Sequence, residues 1–206
     1  MIHCPLNEAY GHASILRKYA GIDKNIPING RLQHGWSPNN TGLIAGDSLD
    51  KQGINMFPWN NAKFGYNIDG PVRLDQTRTY PVGAPILYLP ESGPIFDSHG
   101  ILAIPTHSIA EKRIPRAVWE DWCKYILFTY GSKTDVLVHY RDIELGYDKI
   151  AMEYGFGVKN CGRPSTVDYL QRVVATLQSY EYVASNCVQT ACFYALYLGC
   201  TVFVDG

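Results

Sequence analysis

Apolar and polar positions are distributed differently in the two halves of this chain. From residue 100 onward, short apolar runs alternate with stretches of helical periodicity. The runs Ile101–Pro105, Asp135–Tyr140, Phe156–Asn160, Tyr182–Ala184 and Thr201–Val204 predict five strands. Between the first two, Val118, Trp119, Trp122, Tyr125, Ile126 and Thr129 form the apolar stripe of a helix from Pro115 to Tyr130, with Gly131 at its C-terminal cap. Next, Ile143, Tyr147, Ile150, Ala151 and Tyr154 fall on one helical face closed by Gly155. Ser165-Thr166-Val167-Asp168 has capping-box-like spacing and opens a helix to Ser179. A nearly all-apolar helix, Val188–Leu198, ends at Gly199. The strands are apolar without alternation, which fits strands buried on both faces. The order therefore predicts a doubly wound parallel α/β sheet, whose ligands bind beyond the carboxyl ends of the strands.

Residues 1–97 are rich in Gly, Pro and Asn, with shorter apolar runs. They predict a helix Glu8–Tyr19, strands Arg31–Gln33, Ile54–Trp59 and Thr79–Val82, a polar helix-like stretch Asn60–Asn67, and a helix starting at Ala84–Leu89. The expected division is an N-terminal α/β domain over 1–97 and a second over 98–206.

Composition narrows the class. Among 206 residues 46% are hydrophobic and 18% charged, and the net charge is −1. This balance suits a buried soluble core and gives no electrostatic case for nucleic acid. Apolar runs are too short for a spanning helix, and the N-terminus lacks signal-peptide character. The six cysteines show no zinc-like spacing, which predicts reduced, buried thiols and a cytoplasmic protein. The sequon Asn39-Asn40-Thr41 is read as chance.

Candidate chemistry sits where strands end. His34, in LQHGWSP, is placed for general-base work, or else satisfies loop carbonyls. His107 and Ser108, in IPTHS, suit phosphate binding or ordinary turn chemistry. Ser185, Asn186 and Thr190 form the polar mouth of the last helix, where N-capping and phosphate binding are compatible. Arg141 and Arg163 are loop cations suited to a diphosphate or to solvent, beside the loop acid Asp142. Glu8 and His12, four apart, would share a helix face, and Glu153 reads as solvated. GxGxxG, the P-loop and GxSxG are missing, and with Asp-x-Asp, the commonest form of a metal-bound nucleotide-sugar site, missing too, no metal site is expected.

The ordered segments EAYGHASILRKYAG, LQHGW, YPVGAPILYL, ILAIPTHS and VASNCVQTACFYALYLGCTVFV resemble bacterial surface-polysaccharide enzymes of the GT-B glycosyltransferase type. These are capsule and lipopolysaccharide transferases and, more distantly, bacterial sialyltransferases, polysialyltransferases and teichoic-acid glycerophosphotransferases. The resemblance implies two Rossmann-like domains, acceptor side N-terminal and nucleotide donor C-terminal. It implies a metal-independent enzyme that moves a sugar from a CMP-, CDP- or UDP-linked donor to a glycan or lipid-linked glycan, with no cofactor. His34 would match the His-Gly base, His107 the phosphate-contacting histidine of a His-Pro motif, and Ser185 the hydroxyl of a later Ser-Ser/Thr motif. Ser108 stands where that proline would be, and Asn186 where a second hydroxyl would be. A further strand-helix unit and a closing helix are expected after Asp205, so the C-terminal domain reads as truncated. The exposed edge at Thr201–Val204 suggests homo-oligomers, and the family suggests peripheral contact with the inner membrane. The rival readings are a polyol-phosphate transferase, a nucleotide-sugar 2-epimerase and a non-catalytic nucleotide-sugar-binding fragment.

Overall fold

The computed structural model describes residues 5–36, 55–59, 64–67, 70–73, 78–89, 98–109 and 112–205. The sequon, Cys4, Ile54 and 60–63 lie outside them. The chain forms two compact units, one of residues 1–91 with 164–170, the other of 92–163 with 171–206. It is a mixed α/β protein with parallel sheets.

In the first unit a 3-10 segment, Pro5–Gly11, leads into helix α1, His12–Tyr19. Strands β1 (Arg31–Leu32), β2 (Asn55–Phe57) and β5 (Arg78–Thr79) form a parallel sheet in the order β1-β2-β5. The Asn7 side chain holds β1 from both sides, donating to the Gly30 carbonyl at 2.7 Å and accepting from Leu32 N at 2.9 Å. Ala13, Ile15, Leu32, Met56 and Ile86 fill the interior.

Two expectations for this unit are corrected. The single helix Glu8–Tyr19 is broken at Ala9 and Tyr10, whose φ/ψ are non-helical. Glu8 therefore shares no helix face with His12 and instead pairs with Arg17 at 2.8 Å. The polar stretch ending at Asn67 is not helical where described: β3 (Phe64–Asn67) pairs antiparallel with β4 (Gly70–Arg73). Its Phe-x-Tyr alternation has the period of a strand.

The second unit is a five-stranded, all-parallel sheet ordered β10-β9-β6-β7-β8. The strands are β6 (Ser98–Ile104), β7 (Thr134–Leu137), β8 (Gly157–Lys159), β9 (Tyr180–Ser185) and β10 (Thr201–Val204). Helix α2 (Arg116–Tyr130) crosses from β6 to β7, and α3 (Tyr140–Glu144) with α4 (Tyr147–Glu153) from β7 to β8. Helix α5 (Tyr169–Gln178) precedes β9, and α6 (Thr190–Tyr197) joins β9 to β10. The order steps outward from β6 to β8, then restarts on the other side of β6 with β9. That reversal makes β6/β9 the topological switch point of a doubly wound sheet.

Burial refines the helices. On α2 the buried residues are Trp119, Trp122, Cys123 and Ile126, while Val118 and Tyr125 are 54% and 42% exposed. The buried stripe keeps the tight i, i+3, i+4, i+7 spacing, and the wider predicted arc extends past what the sheet covers. The predicted face Ile143–Tyr154 spans two helices, because Gly146 at φ 80° ends one and starts the next. The expected helix start at Ser165 moves to Tyr169. Residues 164–168 are held by the first unit, where Pro164 accepts a hydrogen bond from Tyr10 N.

Candidate functional site

The carboxyl ends of β6, β7 and β9 gather most of the residues singled out from the sequence. β6 and β9 run in register, with Ile104 opposite Ser185. Beyond them, Thr106 donates to the Asn186 side-chain oxygen from its backbone N at 2.8 Å, with its Oγ1 2.9 Å from the same atom. Asn186 thus ties the β6 loop to the β9 loop. Its side chain is spent on that tie and caps no helix.

Ser185 is 2% exposed. Its hydroxyl lies 2.8 Å from the Ile104 carbonyl and 2.9 Å from that of Cys187, and it accepts from Gln189 Nε2 at 2.9 Å. Ser108, 1% exposed, is used in the same way. Its N points to the Asp142 carboxylate at 3.2 Å, and its hydroxyl accepts from Ile114 N at 3.0 Å. Both serines build the edge of the site from inside the fold. Asp142 is fully buried and anchors the 106–108 loop, a role the sequence did not signal.

His107 stands above this edge. Its Nδ1 lies 3.0 Å from the Ser108 carbonyl, so Nδ1 carries the hydrogen and Nε2 is left for another partner. Its ring stacks on that of His139, with centroids 4.0 Å apart and planes inclined by 22°. Burial first, then the neighbouring His107 and Arg141, lower the pKa of His139 to about 3. His139 Nδ1 is buried with no hydrogen-bond partner. Such an orphan costs about 1–3 kcal/mol, which the fold alone gains nothing by keeping. His139 was missed in the sequence, although DVLVHY ends in a histidine much as ILAIPTHS does.

Arg141 and Arg163 come together over one ring, their guanidinium carbons 5.4 and 5.1 Å from the Tyr140 centroid. Arg163 also pairs with Glu144 at 2.6 Å. Thr190 opens α6, whose N-cap Gln189 makes no side-chain cap, while the Gln189 carbonyl accepts from Cys192 N in the first turn.

His34 belongs to the first unit, two residues past β1. Gln33 beside it accepts from Trp59 N at 2.6 Å, and its carbonyl accepts from Trp59 Nε1 at 3.0 Å. Tyr10 reaches His34 edge-on at 5.8 Å and stacks on His12 at 5.4 Å. His12 is 1% exposed, and burial with His34 nearby lowers its pKa to about 3.

The five described cysteines are free, and all but Cys187 are buried. Burial pushes the Cys123 thiol up to about 12, which makes it a packing residue rather than a nucleophile. Among the described residues no helix is long and apolar enough to cross a membrane, and no three His, Cys, Asp or Glu side chains are grouped to hold a metal ion. No family model, curated protein or solved structure matches this chain.

Proposed function

We propose that the second unit binds the phosphate of a nucleotide-linked sugar, and that the protein is a metal-independent glycosyltransferase of the GT-B type. The observation that carries this reading is the position of His107. It stands three residues past β6 of an all-parallel sheet, next to Thr106, which is tied to Asn186 at the β6/β9 switch point, and its ring, with Nδ1 on the Ser108 carbonyl, stacks on a second imidazole, His139. Ligands of such sheets bind at that point, and preorganised donors there stabilise developing charge without reorganising.

His107 Nε2 holds a phosphate oxygen, and the positive end of the α6 dipole at Thr190 favours its charge. Arg141 and Arg163 add positive charge beside α3. Ser108, Ser185 and Asn186 shape the loops. In the first unit His34 takes the proton of an acceptor hydroxyl. That oxygen bonds to the anomeric carbon of the donor as the bond from that carbon to the phosphate oxygen breaks, and the nucleotide, CMP, CDP or UDP, leaves with the electron pair. The acceptor side is thereby given to the first unit and the donor side to the second. The acceptor is a glycan or lipid-linked glycan.

Donor hydrolysis tests the chemistry. The chain is expected to release nucleotide slowly from one of the CMP-, CDP- or UDP-linked sugars, and His34→Ala is expected to abolish release while nucleotide binding persists. Unchanged release in His34→Ala would remove the base from the mechanism.

A further inference from the structure

His107 has one ring nitrogen committed to the fold. Its Nδ1 lies 3.0 Å from the Ser108 carbonyl oxygen. A carbonyl only accepts, so the hydrogen sits on Nδ1. Ser108 is fixed on both sides: its N is held on the Asp142 carboxylate at 3.2 Å, and its hydroxyl accepts from Ile114 N at 3.0 Å. Nε2 has no partner among the described residues, and unlike His139 Nδ1 it is not sealed from solvent. His107 is half-buried, so a ligand reaches Nε2.

The tautomer decides what that nitrogen binds. In the neutral ring with its hydrogen on Nδ1, Nε2 is a bare acceptor. A phosphate oxygen presents lone pairs and is repelled by it. The imidazolium ion carries hydrogen on both nitrogens, one for the Ser108 carbonyl and one for a phosphate oxygen. Phosphate on Nε2 therefore requires a second proton on the ring, and the negative charge of the phosphate stabilises that ion.

The surroundings direct this proton to His107. His139 is stacked on it, and burial, His107 and Arg141 lower the His139 pKa to about 3. On α3 the Asp142 carboxylate favours a cation at His107, while Arg141 opposes one. Arg163 lies over Tyr140 and pairs with Glu144. On the loop after β6, Lys112 and Arg113 are exposed to water. The β9 side supplies Asn186 and the Cys187 thiol, both meeting Thr106. Residues 182–204 contain no Asp, Glu, Lys, Arg or His.

We infer that phosphate binding by the second unit is coupled to proton uptake: His107 takes one proton from solvent as a phosphate oxygen settles on Nε2, and the neutral His139 stacked on it keeps the charge on a single ring. The site is thereby selective by pH, since the neutral ring offers Nε2 to a hydroxyl donor and the charged ring offers it to an anion. The coupling rests on the reading of the second unit as a phosphate site.

The test is isothermal titration of CMP, CDP and UDP into the full chain at pH 7.5 and 8.5. A phosphate monoester loses its second proton near about pH 6, so the probes themselves hardly titrate in this range. Wild-type affinity for at least one nucleotide is expected to fall about ten-fold over the step, the linkage slope of one proton. Titrations at pH 7.5 in buffers of different ionisation enthalpy are expected to show uptake of about one proton per nucleotide. The Gln side chain donates from its amide without titrating, so His107→Gln is expected to bind more weakly, with no such step and no proton uptake. Cys187→Ala is expected to keep the wild-type step. Wild-type affinity independent of pH, a step that persists in His107→Gln, or a step lost in Cys187→Ala would overturn the coupling. Should His107→Gln bind too weakly to measure, the wild-type proton count and Cys187→Ala decide. Absence of saturable binding at both pH values removes the phosphate site and the coupling with it. Saturable binding without proton uptake keeps the site and removes the coupling alone.

Discussion

His107 and His139 lie ring on ring, 4.0 Å between centroids, at the carboxyl ends of two adjacent parallel strands. Two imidazolium ions at that separation would repel strongly, so the two rings are not both charged. His139 is the buried, neutral member of the pair. The stack holds the His107 plane and leaves Nε2 directed away from the Ser108 carbonyl. His139→Ala removes the support but not the ligand contact. It is expected to weaken nucleotide binding about three- to ten-fold, while His107→Ala, which removes a hydrogen bond to a charged group, costs about ten-fold or more. Fluorescence titration of the two variants checks the order.

Asn186 separates stability from binding. Its side-chain oxygen serves both Thr106 donors, so Asn186→Ala leaves a backbone N–H orphaned and is expected to cost about 1–3 kcal/mol of unfolding free energy. A carboxylate accepts the same two bonds. Asn186→Asp is therefore expected to keep most of the stability, yet to weaken nucleotide binding by placing a negative charge beside phosphate. Chemical denaturation and nucleotide titration on both variants read the two effects.

Gly11 is required by its conformation and its surroundings together. Its φ is 73°, and a Cβ there would run into the Val167 carbonyl oxygen. Gly11→Ala is expected to destabilise the first unit by more than about 1 kcal/mol, from the left-handed backbone alone. Urea denaturation measures it.

His12 makes stability depend on pH. Its pKa is about 3 in the folded chain against 6.5 when unfolded, so the unfolded chain binds the proton first. Its contribution is full above about pH 6.5 and falls as pH drops, by about 1.4 kcal/mol per unit until about pH 3. His139 acts in the same direction, reduced by its partial exposure. Denaturation curves at pH 5 and 6 are expected to differ less in His12→Leu than in the wild-type protein by roughly that slope.

The strands of the second unit were legible because they are short, apolar and unbroken, the pattern of a sheet covered on both faces. Thr201–Val204 matches the predicted run at both ends, and β9 exceeds its predicted run by two residues at the start and one at the end. Gly146 was not recognised as a break, since the apolar spacing continues across it. The Ser165 helix start failed because contacts distant in sequence hold that segment. At the candidate site the sequence located the strand ends, and with them His107, Ser108, Ser185 and Asn186. It could not tell which hydroxyls face inward: Ser108 and Ser185 are bonded to groups six and 81 residues away. His139 and Asp142 gained their roles only when β7 was laid beside β6.

Isothermal titration of CMP, CDP and UDP into the full chain and into His107→Ala tests the central claim most directly. Saturable binding of at least one nucleotide by the wild-type protein is predicted, weakened about ten-fold or more in the variant. Absence of saturable heat with all three, or equal affinity in the two proteins, would contradict a phosphate site at the β6/β9 switch point.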